Sequence, residues 1–260
     1  MPTPLILAES GFVTPGSGDF ELPPFIHGVS WATKPVLLAL ISIIVIVVFF
    51  TTAMRKKALV PGKLQFVAEG LYNFVRNTIA RDSIGEEYKK YLPYLVALFF
   101  FVLVNNLFGL FPLTLYPTMS RVAFPMALAV VAWVVFNAIG IRRQGFIGYF
   151  KNMMFPSGVP PYVYPLLAPL EFMSTVLVRP VTLSLRLFAN MFAGHLLMLV
   201  FVTGGEYLIH QSGPLKIVGP VSWIFVIALS FLELLIQVLQ AYIITVLTAL
   251  YIAGALSHEH

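Results

Sequence analysis

Two apolar stretches of about forty residues each, near 165–203 and 217–256, constrain this chain more than anything else in it. As helices rising ~1.5 Å per residue, each would reach roughly 60 Å. A bilayer's hydrocarbon core is roughly 30 Å thick. Each stretch is therefore either a hairpin of two spans or one long, steeply tilted helix. No cluster of Gly, Pro or Asn divides either one in the middle, and the isolated Pro180 can kink a helix without ending it. Two long tilted helices are the favoured reading.

Three shorter apolar runs, at about 35–54, 91–112 and 121–141, bring the count to five transmembrane helices. The composition agrees: 59% of the 260 residues are hydrophobic and only 10% are charged, against roughly 25% charged in soluble domains. The expected fold is an all-α integral membrane protein with one transmembrane domain over 35–256. The chain contains no cysteine, which excludes a disulfide framework, a thiol nucleophile and a Cys-ligated metal site. No cofactor site is expected. The net charge of +5 does not indicate nucleic acid, because the basic residues flank apolar spans and form no single patch.

Those basic residues set a topology. Of 16 Lys and Arg, eight fall between 55 and 90 and three between 142 and 151. Only Lys34, Arg121 and Lys216 fall on the opposite side, and Arg179 and Arg186 lie inside the fourth of the five apolar runs. Eleven against three places the N-terminus outside and the C-terminus in the cytoplasm. Residues 1–34, rich in Pro and Gly and lacking a basic start, read as an external tail and not as a cleaved signal peptide. Between the first two spans, Leu64, Val67, Leu71, Val75 and Ile79 keep helical spacing while most polar residues lie elsewhere around the helix. This predicts an amphipathic helix at about 61–82 on the inner surface, or one packed on a soluble partner. Lys151 and the Pro-rich run 156–161 read as a cytoplasmic linker, and 257–260 as a cytoplasmic tail.

Arg186 stands out within the apolar run that holds it. A guanidinium there costs from roughly 2.5 kcal/mol to more than 10. Arginine does not give up its proton in proteins, so the charge is permanent. It needs water or an anionic partner. On a helix, Ala189, Asn190 and Ala193 fall on or near the same face, and small residues there let another helix come close. The plainer alternative is an arginine that reaches a lipid headgroup or is neutralised by a carboxylate of its own chain.

The last run contains one anion, Glu233, with Gln237 and Gln240 on its face. His195, nine residues beyond Arg186, points to nearly the opposite side of a straight helix. A carboxyl set in hydrocarbon and an imidazole are both groups able to exchange protons. Asn105 and Asn106 are polar within the second span and read as interhelical hydrogen-bonding residues, with a channel role as the alternative.

The run Ser184-Leu185-Arg186-Leu187-Phe188-Ala189-Asn190, followed by Ala193-Gly194-His195, resembles the signature of subunit a of F-type ATP synthases. The resemblance recurs in Leu239-Gln240-Ala241-Tyr242 with Leu247-Thr248 and Tyr251, and more weakly in 106–112. Ala189 stands where the family usually has Gly. Some members also exchange the acid and the histidine found here at Glu233 and His195. The resemblance implies a non-catalytic, proton-conducting stator subunit in a bacterial plasma membrane. Its implied partners are a rotor ring of small carboxyl-bearing hairpin subunits, peripheral stalk subunit b, the rest of the F-type complex and the lipid bilayer, with no nucleic acid. It also implies roles: Arg186 is the essential charge facing the rotor, Ala189 and Ala193 pack against it, and His195, Glu233, Asn190, Gln240 and Gln237 line a proton path. The competing reading is a self-contained secondary transporter using Arg186 to bind an anionic substrate, although no internal repeat is visible.

Overall fold

The computed structural model describes residues 14–16, 33–55, 61–111, 118–155, 161–210 and 215–256. The expected external tail lies almost wholly outside the described residues, as do the C-terminal tail and residues 156–160 of the linker.

Helix α1 (Lys34–Ala53) starts with Pro35 in its first turn, where a missing N–H leaves no bond unmade. It buries Leu38 and Ser42 and turns Leu40, Ile44 and Val48 outward. Helix α2 (Lys63–Phe74) runs into a π turn (Val75–Arg81) and the single turn α3 (Asp82–Ile84). Gly85, at φ 77°, takes the left-handed conformation that changes the chain's direction. Helix α4 (Tyr88–Leu107) follows. Its C-terminal end closes in turns, with Gly109 N–H on the Asn106 carbonyl at 2.9 Å and Leu110 N–H on Leu107 at 3.1 Å. The apolar run therefore outlasts the helix by several residues.

Helix α5 (Ala123–Gln144) ends at Gly145, whose φ of 75° starts helix α6 (Phe146–Met154) at once. The linker expectation missed α6. This short amphipathic helix buries Tyr149 and exposes Phe146 and Ile147. Helix α7 (Tyr164–Met173), a π turn (Ser174–Val178) and α8 (Arg179–His210) join into one 47-residue stretch, Tyr164–His210. Helix α9 (Leu215–Leu256) has 42 residues. Neither long run is a hairpin. Gly204 and Gly205, just past the expected end near 203, lie inside α8, where Gly205 packs against Ser222 and Trp223 of α9.

Among the described residues the protein is all-helical, and five helical stretches are long and apolar enough to cross a membrane. The core gathers where α4 and its preceding π turn meet α5, α8 and the second half of α9. Val75, Ile79, Leu95, Phe99, Val102, Phe136, Leu187, Met191, Ile244 and Ile252 are buried together there. Helices α8 and α9 run antiparallel: Ser222 Oγ donates to the Phe201 carbonyl at 2.7 Å, and Ser230 Oγ to Met198 Sδ at 3.6 Å. From 216 to 232, α9 buries only Gly219, which packs against Gly205 and Ile209 of α8.

Candidate functional site

The polar stripe expected on α9 exists and is buried: Glu233 is 4% exposed, Gln237 0% and Gln240 2%. Two helices, α4 and α8, close over it. Gln237 Nε2 donates to Glu233 Oε1 at 3.3 Å, and Asn106 Nδ2 from α4 donates to the Gln237 backbone carbonyl at 3.3 Å. Asn190 Nδ2 from α8 donates to Gln240 Oε1 at 2.8 Å. A β-carbon on Gly194 would lie 3.4 Å from Glu233 Cδ and 3.5 Å from its Oε1. The Glu233 carboxyl thus lies against α8 at Gly194, one residue from the half-buried His195.

Hydrogen bonds leave part of this cluster unsatisfied. Glu233 Oε2, Gln237 Oε1, Gln240 Nε2 and Asn106 Oδ1 are buried without a hydrogen-bond partner among the described residues. Buried polar atoms in folded proteins are nearly always paired with protein or water. A row of them along one seam is therefore suited to handle water or protons. Asn105 does not join the row: it donates to Ser42 Oγ and to the Phe101 carbonyl, both at 2.8 Å, and ties α4 to α1.

Arg186 lies on the exposed side of α8 together with Ala189 and Ala193. It makes no hydrogen bond or ion pair with the described residues, so a carboxylate of the described chain does not neutralise it. The ion pair found among them, Arg143 to Glu87 at 3.0 Å, is exposed and far along the bundle. Asn190, exposed like Arg186, also reaches α9 through its bond to Gln240. Arg186 and Asn190, which bonds the seam, are thus four positions apart on α8.

A second polar region lies at the end of the bundle that carries Arg142 and Arg143. A cavity of about 270 Å³ is lined by Gln144, Tyr149, Asn152, Glu171, Thr175, Arg179 and Tyr251, among others. The Arg179 guanidinium sits 5.0 Å from the centre of the Tyr251 ring, within cation–π range. Gln144 Nε2 donates to the Ala255 carbonyl at 3.1 Å, and Asn152 Nδ2 to Gln144 Oε1 at 3.0 Å. Tyr149 Oη donates to Asn137 Oδ1 at 2.9 Å, and burial raises its phenol above the ordinary tyrosine range, with Arg179 opposing. The sequence alone does not single out this set as a site. The repeat Glu171–Thr175–Arg179 at four-residue steps is the available signal, but α-helical geometry spreads such steps around the axis.

Comparison with known proteins follows the same residues. The sequence profile of the family described as ATP synthase A chain matches residues 36–253. ATP synthase subunit a of Nocardioides sp. is 50% identical over 262 aligned positions, covering 96% of this chain and 95% of the relative. That of Pseudarthrobacter chlorophenolicus is 47% identical, covering 95% of each. That of Rhodococcus erythropolis is 40% identical, covering 98% of this chain and 94% of the relative. With five helical stretches able to cross a membrane, an outward arginine on α8 and a buried carboxyl on α9, this multi-pass membrane protein belongs to the ATP synthase subunit a family.

Proposed function

We propose that the chain conducts protons through two separate half-paths to a rotor ring of carboxyl-bearing subunits, and that Arg186 stands between them. The observation that carries this reading is the placement of Arg186: an outward cation, unpaired among the described residues, between two polar regions of one helix. Arg179 and Arg186 are seven residues apart, roughly 10 Å along the helix. His195 lies nine residues further, roughly 14 Å beyond Arg186.

The seam of His195, Glu233, Gln237, Gln240, Asn190 and Asn106 is the half-path from outside. Glu233 and His195 take up protons there and pass them to a ring carboxyl. The cavity of Glu171, Thr175, Arg179, Tyr149 and Asn152 is the half-path to the cytoplasm. Positive charge at Arg55, Lys89, Lys90, Arg142 and Arg143 supports a cytoplasmic location for that end. Between the two, Arg186 attracts the ionised ring carboxyl and repels a proton moving directly across. At about 4 Å this attraction is roughly 4 kcal/mol for an effective dielectric near 20. That favours ionisation without locking the ring if desolvation offsets part of it. Ala189 and Ala193 let the ring helix approach closely. Subunit b and the remaining F-type subunits would hold this chain against the rotation.

Arg186→Ala in the assembled complex should abolish ATP-driven proton pumping and permit passive leak. Arg186→Lys should be severely impaired, since an ammonium lacks the guanidinium's planar reach. Normal pumping with Arg186→Ala would refute the reading.

A further inference from the structure

The π turn Ser174–Val178 creates a hydrogen-bonding gap that another helix fills. In this turn Arg179 N–H bonds the Ser174 carbonyl, five residues back. The Thr175 carbonyl therefore loses its usual α-helical donor, which is that same Arg179 N–H. Its π-type donor would be residue 180, which is proline and has no N–H. Both intrahelical donors are gone. The indole N–H of Trp133, on α5, takes the place and reaches the Thr175 carbonyl at 2.9 Å.

The turn also changes what the helix presents. At 3.6 residues per revolution, each four-residue step overshoots a full turn by about 40°. Glu171 and Arg179, two steps apart, would then diverge by about 80° on a plain α-helix. A π turn takes more residues per revolution and cancels much of this drift. Glu171, Thr175 and Arg179 accordingly line one cavity. We propose that Trp133 is a positioning residue for the cytoplasmic half-path: its indole N–H holds the π turn that keeps Glu171, Thr175 and Arg179 on a single face. Asn137 and Tyr149 back it from behind. Asn137 Nδ2 donates to the Trp133 carbonyl at 2.7 Å, and Asn137 Oδ1 accepts from the Tyr149 hydroxyl at 2.9 Å. Surface helix α6 is thereby coupled to the turn.

This inference rests on the reading of the cavity as the cytoplasmic half-path, and the test separates the two. The whole complex is studied in inverted membrane vesicles, whose outer bath meets the cytoplasmic face. Trp133→Phe keeps an aromatic ring and removes the donor. Pumping should fall roughly two- to tenfold, the range to which one net hydrogen bond converts. Its dependence on outer-bath pH should shift, while its dependence on lumenal pH should not. Because the chain has no native cysteine, Thr175→Cys also gives a single reporter on it. Residue 175 is buried while the turn is held, so a membrane-impermeant maleimide added outside should label Thr175→Cys faster in the Trp133→Phe background by a similar factor. Where Trp133→Phe fails to assemble, naphthylalanine at 133, with two fused rings and no N–H, carries the same measurements. Unchanged pH profile and labelling in an assembled Trp133 variant would overturn the positioning role. If Glu171→Gln leaves the outer-bath profile unchanged, the assignment of the cavity fails instead.

Discussion

The crossing of α8 and α9 is a close packing point, and Gly219 tests it. A β-carbon at 219 would overlap Ile209 Cγ1 and lie 2.8 Å from the Gly205 carbonyl oxygen. The side chain of Ile209 can partly yield, but the backbone of Gly205 cannot without moving α8. Gly219→Ala gains helix propensity worth about 0.5–1 kcal/mol. It meets an overpacking cost of about 1–3 kcal/mol, for a net loss of up to about 2.5 kcal/mol. Gly70 on α2 is the control, being exposed and with nothing within 4 Å of the point its β-carbon would occupy. Gly70→Ala meets only the favourable propensity. The two single variants are compared by thermal melting of the solubilised complex and by ATP-driven pumping in vesicles. Gly70→Ala should match or exceed the parent in both. Gly219→Ala should melt earlier and pump less, because splaying the crossing draws Glu233 off Gly194 further down the same helix pair. If Gly219→Ala behaves as Gly70→Ala does, the close crossing does not set the geometry of the seam.

Two further outcomes are expected. Ala193→Leu adds volume on the exposed Arg186 face, so the chain should insert normally while co-purification with the rotor ring and ATP synthesis fall; full synthesis would mean that this face meets lipid. His195→Glu and Glu233→His should each slow pumping, and the double exchange should recover more than the two singles predict if both residues serve one path; additive losses would separate them, whereas assembly lost in the singles and restored in the double would make the pair a helix staple.

Much of this architecture can be read from the sequence because hydrocarbon imposes a simple rule: backbone polar groups must be satisfied within the segment, so apolar runs become helices. The outward charge at Arg186 and the buried stripe Glu233–Gln237–Gln240 follow from residue type and helical spacing. Asn106 is ambiguous for a physical reason, since an amide that bonds a neighbouring helix also has a free carbonyl to offer a path. Its Nδ2 does the first and its Oδ1 is left for the second. Helix α6 escapes a sequence reading because nine residues give too few turns for a period to emerge beside Gly145 and the proline run. The cavity is hidden for a different reason. Three of its residues, Glu171, Thr175 and Arg179, come to one face through the π turn, whose Thr175 carbonyl is bonded by Trp133, forty-two positions earlier in the chain.

The dependence on distant contacts extends to the whole site. Asn190 meets Gln240, Gly194 meets Glu233, Met198 meets Ser230 and Phe201 meets Ser222, one antiparallel register held along the pair. Sliding one helix by a residue moves it only ~1.5 Å but turns it by about 100° if it screws along its own axis. Glu233 would then leave the seam, and Arg186 would leave the face it shares with Ala189 and Ala193. Polar side chains alone do not prevent this, since side-chain hydrogen bonds between membrane helices average only about 0.6 kcal/mol each. Shape does: Gly205 and Gly219 admit a close approach of the two helices that a β-carbon on either would obstruct. The chemistry of the charged residues is thus fixed by glycines that carry no chemistry of their own.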